Sequence, residues 1–224
     1  MSDRPGWDAI ERALAPLYPE TEPTRWRAEH PWSLGGPDAL DGVSAYPRTD
    51  PVPHWHYVGY GMTELYEKEW DDPEESGWGF EFTFRLVRAA VETAAPRWPV
   101  DLMQNLAHYV YQSGEWFTPG HTVKTNGPLA PDLPDSAIRA AGFVVDPELG
   151  PIDTPFGRVS FLQIVGLTMP EYRTARGGKL LAMLAGLADR LPLYVTDMHR
   201  TTLVPEPKPQ ATWPSWGGGL RGRA

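Results

Sequence analysis

The chain has no cysteine among its 224 residues. A disulfide framework, a thiolate nucleophile and a cysteine-ligated zinc are therefore excluded, and nothing points to an oxidising compartment. No apolar run approaches the ~18 residues needed to cross a bilayer, and residues 1–6 lack the apolar stretch of a signal peptide. The expected location is cytoplasmic, without a membrane partner. Basic residues are in deficit, with 20 Lys and Arg against 29 Asp and Glu, for a formal charge of −9. A phosphate-backbone binder needs a basic stripe to displace counterions, so nucleic acid is not an expected partner.

Catalytic signatures are also missing. No Gly-x-Ser-x-Gly pentapeptide occurs, which removes the usual hydrolase elbow. Gly177-Gly178-Lys179-Leu180 lacks the earlier glycine and the hydroxyl residue of a phosphate-binding loop. Gly77-Trp78-Gly79-Phe80-Glu81-Phe82 begins like a dinucleotide fingerprint but runs into a strand pattern instead of a helix. No cofactor is implied. Asp41, Glu64 and Glu81 are available as acid–base carboxylates, but their spacing does not show that any two converge.

What is present is proline, glycine and tryptophan: 25, 22 and 10 residues. Prolines cannot donate to a strand ladder or sit inside helices, so they predict short elements joined by ordered loops. Trp7, Ile10, Leu14 and Leu17 form a helical stripe that Pro19 stops. Strands are predicted over residues 43–46 and 54–60; period two puts His54, His56, Val58 and Tyr60 on one face. Residues 64–75 read as an acidic loop, a solvated turn or a patch for a basic partner. Residues 80–86 alternate strictly, with phenylalanines toward a core and Glu81, Thr83 and Arg85 on a wetter face.

A helix is predicted from Pro99 to Gly114, and turns cover residues 116–135. Strands follow over residues 143–145 and 159–165. Leu180, Leu184, Leu187 and Leu191 mark a helix ended by Pro192, and residues 193–196 and 201–204 read as a closing strand pair. The whole is a single α+β domain over residues 1–204, with a mixed, mainly antiparallel sheet and flanking helices. Residues 205–224 form a Pro/Gly-rich tail expected to be disordered.

His54 and His56 could present two imidazoles to one metal ion, with His121 or Asp197 and His199 completing the set. The next carboxylate, Glu64, lies beyond a Gly59-Tyr60-Gly61 turn, which fits a cupin-like site poorly. A metal-assisted enzyme with a cleft near His54, His56 and His121 is the alternative to a binding domain, and a structural module in a larger assembly is a third reading.

Leu34-Gly35-Gly36-Pro37-Asp38-Ala39-Leu40-Asp41, His54-Trp55-His56-Tyr57, Thr63-Glu64-Leu65-Tyr66 and Gly79-Phe80-Glu81-Phe82-Thr83-Phe84-Arg85-Leu86 resemble, in order, the suppressor-of-fused family. Leu102-Met103-Gln104-Asn105-Leu106-Ala107, Thr154-Pro155-Phe156-Gly157, Phe161-Leu162-Gln163-Ile164-Val165-Gly166 and Thr196-Asp197-Met198 continue the match. The resemblance spans residues 7–203. It implies a mixed α/β fold, no enzymatic activity and a protein or peptide partner. In the animal family the peptide lies between two domains and is gripped partly by β-strand addition; this chain resembles the N-terminal domain alone. Tyr109 matches a tyrosine of that cleft, His121 matches the histidine that follows a cleft aspartate, and Trp116 joins them as a candidate binding residue. An aspartate expected just before His121 is replaced by Gly120. Single-domain bacterial members include immunity proteins against polymorphic toxins, a role that an acidic binder suits.

Overall fold

Residues 3–32 and 35–205 are described in a computed structural model; the tail set apart in the sequence lies, beyond Pro205, outside the described residues. Pro5 opens helix α1 (Pro5–Leu14), whose buried face carries Trp7, Ile10 and Leu14. The helix ends earlier than its apolar stripe because the next backbone bond tightens, Leu17 N–H to Leu14 O. Strands β1 (Thr24–Arg27), β2 (Gly42–Arg48), β3 (His54–Tyr60) and β4 (Glu75–Val87) follow. Then come α2 (Trp98–Ser113), β5 (Thr122–Lys124), β6 (Ile138–Val145), β7 (Ile152–Thr154), β8 (Gly157–Thr168), α3 (Met169–Ala175) and α4 (Leu180–Ala185). As predicted, α2 carries Pro99 in its first turn and ends at Gly114, which caps it at φ 71°.

The strands form one mixed sheet in the order β1-β2-β3-β4-β8-β6-β5, with β7 paired to β8. Every pairing is antiparallel except the central one, where β4 runs parallel to β8 from Phe80 opposite Ser160 to Phe84 opposite Ile164. Period-two alternation along β4 delivers Phe80, Phe82, Phe84 and Leu86 to one face. There they pack with Trp55, Tyr57, Phe143 and Ile164 against Met103, Leu106, Ala107 and Val110 of α2. The opposite face holds two apolar clusters. One joins α1 to Tyr46, Val58, Tyr60 and Phe161, and the other joins α3 and α4 to Val144, Val165 and Leu167.

Between those clusters runs a buried polar seam, which corrects the sequence reading of a wetter face. Glu81, Thr83 and Arg85 are all fully buried. The Arg85 guanidinium donates to both carboxylate oxygens of Asp146, at 2.6 and 3.0 Å, and also to Glu148 at 2.9 Å and to the Gln163 side chain. Thr83 donates to the same carboxylate at 2.8 Å. Helices cover both faces of a sheet with a parallel centre, so an alternating strand has nowhere wet to point its polar side. Burial favours such charges only when they are paired and their remaining hydrogen-bonding groups are satisfied.

Further elements differ from the sequence pattern: β1, β7 and α3 have no counterpart in it, and three others depart from it. β5 lies inside the stretch read as turns. α4 stops at Ala185, although Leu187 and Leu191 still join its cluster. The closing strand pair is absent: residues 192–194 form a 3-10 turn, and Thr196 makes one isolated bridge to Leu86. Leu193 and Tyr194 sit at φ 51° and 53°, a conformation no strand uses. Their carbonyls accept from Gln163 at 2.9 and 3.3 Å, which compensates part of that strain. The segment after it is held by Arg200, whose guanidinium pairs with buried Glu171 at 2.6 Å. Glu171 also closes the capping box of α3 with Thr168.

Replacing Arg85 with Leu would leave the Asp146 carboxylate buried and unpaired, at a cost of about 3–5 kcal/mol. Urea unfolding should show that loss, and a change below ~1 kcal/mol would show that the seam does not hold the sheet together.

Candidate functional site

The three candidate binding residues meet in one place. Tyr109 projects from α2 beside, not within, its buried face and is 45% exposed. Its ring rests on Phe117 at 5.5 Å between centroids, and Phe117 stacks on Phe143 of β6 at 4.1 Å. Trp116, just past the Gly114 cap, is 54% exposed. His121 leads into β5, with the Thr118 hydroxyl 3.1 Å from its Nε2. Tyr109, Trp116 and His121 line a single groove of about 610 Å³ with Glu115, Thr122 and Val123.

This groove lies against an open sheet edge. β5 is the last strand in the order, and its only ladder among the described residues is with β6. Phe143 N–H donates to His121 O and Thr125 N–H to Arg139 O, so His121, Val123 and Thr125 direct their backbone groups inward to β6. By alternation, Thr122 and Lys124 direct theirs outward. An outward row of this kind is a template for another strand.

The Gly120 substitution has a backbone correlate. Gly120 sits at φ 100°, which side-chain-bearing residues rarely adopt, so an aspartate would be strained in this turn. The groove has a carboxylate nonetheless: Glu115 accepts from the Tyr109 hydroxyl at 3.1 Å. Sequence reasoning missed Glu115, Phe117 and the outward groups of β5. A three-residue strand without apolar alternation leaves no periodic signal.

His54 and His56 belong elsewhere, to the buried seam. His54 Nδ1 lies 2.7 Å from Val52 O, which fixes the proton on that nitrogen. The Tyr18 hydroxyl donates to His56 Nδ1 at 2.6 Å. That leaves the proton on His56 Nε2, 3.4 Å from Asp146, a polar contact longer than a good hydrogen bond. Arg85 stands nearby and repels any cation. His121 leads into a strand four places from β3 in the sheet order, roughly 19 Å at ~4.8 Å per strand, so the three histidines do not converge. Among the described residues no three His, Cys, Asp or Glu side chains are grouped to hold a metal. Glu64 and Glu81 are loop staples. Glu81 accepts from Gly61, Met62 and Thr63 N–H and from the Thr63 hydroxyl; Glu64 accepts from Glu69, Trp70 and Gly77 N–H and from Lys68.

The family model for suppressor of fused protein matches residues 36–201. The chain belongs to the suppressor of fused family. It is 40% identical over 212 residues to the human and mouse suppressor of fused homologs, a match covering 87% of this chain but 43% of theirs. The chain thus spans under half the length of those relatives. Among solved structures, Drosophila Suppressor of Fused superposes with a TM-score of 0.80 at 30% identity, over 89% of this chain and 51% of that one. A chain of the Sufu-Fu complex gives 0.79 at 29%, covering 90% and 93%. A suppressor of fused homolog from Neisseria gonorrhoeae shares the fold, with a TM-score of 0.58 at 15% identity, covering 88% and 96%. No helix among the described residues is long and apolar enough to cross a membrane.

The seam makes a pH prediction. Burial, with a further contribution from the Arg85 charge, drives both His54 and His56 down to about 4. Each therefore contributes stability above its ordinary value of 6.5, and that stability is lost as pH falls toward 4. Glu81 has the opposite sign: burial pushes it up to about 7, and its contribution is lost as pH rises through that value. Burial works to raise the Asp146 carboxyl too, but His56 and Arg85 outweigh it and hold the group well below the usual carboxylate range. Two imidazoles outweigh one carboxyl where the windows overlap, so Tm should fall between pH 6.5 and 4. Thermal melts check this; a flat Tm would mean the imidazoles are not held neutral.

Proposed function

We propose that this chain is a non-enzymatic protein-interaction domain that takes up an extended peptide. The peptide adds as a strand along the outer edge of β5 and seats side chains in the groove of Tyr109, Trp116 and His121. The observation that carries this reading is the juxtaposition of outward-facing Thr122 and Lys124 backbone groups with exposed aromatic rings. Backbone pairing supplies affinity in such a mode, and pockets for alternate side chains supply specificity. A related chain has been solved in the Sufu-Fu complex, which supports a protein partner for this one. The reading requires no cofactor.

The partner we favour is basic. Net charge of −9 speeds encounter with a basic protein, and Glu115 places a carboxylate beside the ring of Tyr109. A cytoplasmic immunity protein that neutralises a toxin domain fits these features. Its test is growth rescue when the chain is co-expressed with a candidate toxin, and loss of rescue in the groove variants below.

The binding mode is tested with peptides selected from a random display library. Lys124→Pro removes an outward N–H while sparing the bonds to β6, a position where an edge strand accepts proline. Trp116→Ala removes the largest exposed ring. Each should weaken selected peptides by about tenfold or more while leaving the urea midpoint of the free domain nearly unchanged. Wild-type affinity in both variants would refute this edge as the binding site.

A further inference from the structure

Five Phe, Tyr or Trp side chains are exposed among the described residues: Trp32, Tyr66, Trp70, Tyr109 and Trp116. Two line the groove at β5. The other three line a second cavity of about 330 Å³, which half-buried Tyr111 of α2 completes. Exposed rings scattered over a surface need no explanation, but rings gathered into one concavity mark a binding surface.

The rest of the lining has one sign of charge. Asp41, Glu64, Glu67 and Glu69 contribute four carboxylates, and no lysine or arginine lines the cavity. These carboxylates divide into two kinds. Glu64 is engaged in holding the loop, and Asp41 hydrogen-bonds Tyr66, whose phenol is pushed up to about 12 by burial and by that contact. Glu67 and Glu69 are exposed at the rim, and neither is in an ion pair among the described residues.

The walls are preformed. Glu81, buried beneath, holds the backbone of residues 61–63, and the Tyr111 hydroxyl donates to Gly61 O at 2.6 Å. Trp78 braces the cavity from outside, edge-on to Trp70 at 5.0 Å and to Tyr111 at 5.8 Å. A rigid concavity lowers the ordering cost of binding.

We propose that this cavity receives one arginine or lysine side chain of a partner protein. The charge complementarity commits it to a cation: ring faces attract one through their quadrupole, and Glu67 and Glu69 add attraction at the mouth. An anionic or purely apolar occupant would meet the exposed carboxylates of Glu67 and Glu69 at the mouth, neither of them in an ion pair among the described residues. The site is distinct from the β5 groove and does not depend on strand addition there.

The test uses the full chain and the capped tripeptide acetyl-Gly-Arg-Gly-amide, with acetyl-Gly-Gln-Gly-amide as the uncharged control. In NMR titrations the indole N–H signals of Trp32 and Trp70 should shift saturably with the arginine peptide, and the response should weaken as salt is raised. The glutamine peptide should leave them in place. The Glu67→Gln/Glu69→Gln double variant alters only exposed side chains, so the fold should persist, and it should bind about tenfold more weakly. No shift, an equal response to the glutamine peptide, or undiminished binding by the double variant would each overturn the proposal. The titration reads only the cavity signals and involves neither the β5 edge nor a selected peptide, so failure here is distinguishable from failure of the β5 reading.

Discussion

The ion pair between Arg85 and Asp146 is the contact around which the sheet is arranged. Arg85 lies on β4 and Asp146 just past the end of β6, with β8 between them in the sheet. The pair therefore spans the parallel junction at which two antiparallel halves join. A one-residue slip of β4 against β8 would turn Arg85 into the phenylalanine core and Phe84 into the seam, so one buried charge pair penalises every wrong register at once. Its contribution is better described as specificity than as net stability, because desolvating two charges offsets much of their attraction. Asp146 extends the constraint by accepting from Glu148 and Leu149 N–H, which fixes the loop beyond β6 over the seam.

The seam and the proposed interaction surface sit in different parts of the molecule, and the separation is physical. The carboxylates and the glutamine at the centre of the sheet find their partners internally and, with the histidines, are closed off by helices on both sides. The groups open to a partner lie at the periphery: the outer edge of β5 and the rings that gather near the C-terminal end of α2. Glu81 and Glu64 connect the two regions. Each uses a carboxylate to collect several backbone N–H groups of the loop between β3 and β4, which gives an acidic, aromatic surface a fixed shape.

Much of this was legible in the residue pattern. The alternation of residues 80–86 gave β4 and its buried phenylalanines, and Pro99 with Gly114 gave α2 to within a residue. Tyr109, Trp116 and His121, singled out separately, line one groove. The pattern misled where long-range contact decides. Arg85 and Asp146 are 61 positions apart, and nothing local distinguishes an arginine on a wet sheet face from one that finds a buried carboxylate. The histidines looked like a metal pair because period two puts them on one face, but the same geometry points them at Tyr18 and Arg85. Residues 193–196 have strand composition, yet Gln163 draws the carbonyls of Leu193 and Tyr194 into left-handed turns. β5 is too short to show a period, and its role comes from its place at the sheet's end.

The central claim is that the outer edge of β5 is where a partner strand pairs. Amide hydrogen exchange at Thr122 and Lys124, measured with and without a bound selected peptide, tests it most directly. The account predicts rapid exchange at both amides in the free domain and marked protection in the complex, while Val123, already bonded to β6, changes little. Equal, rapid exchange at Thr122 and Lys124 in a saturated complex would contradict it.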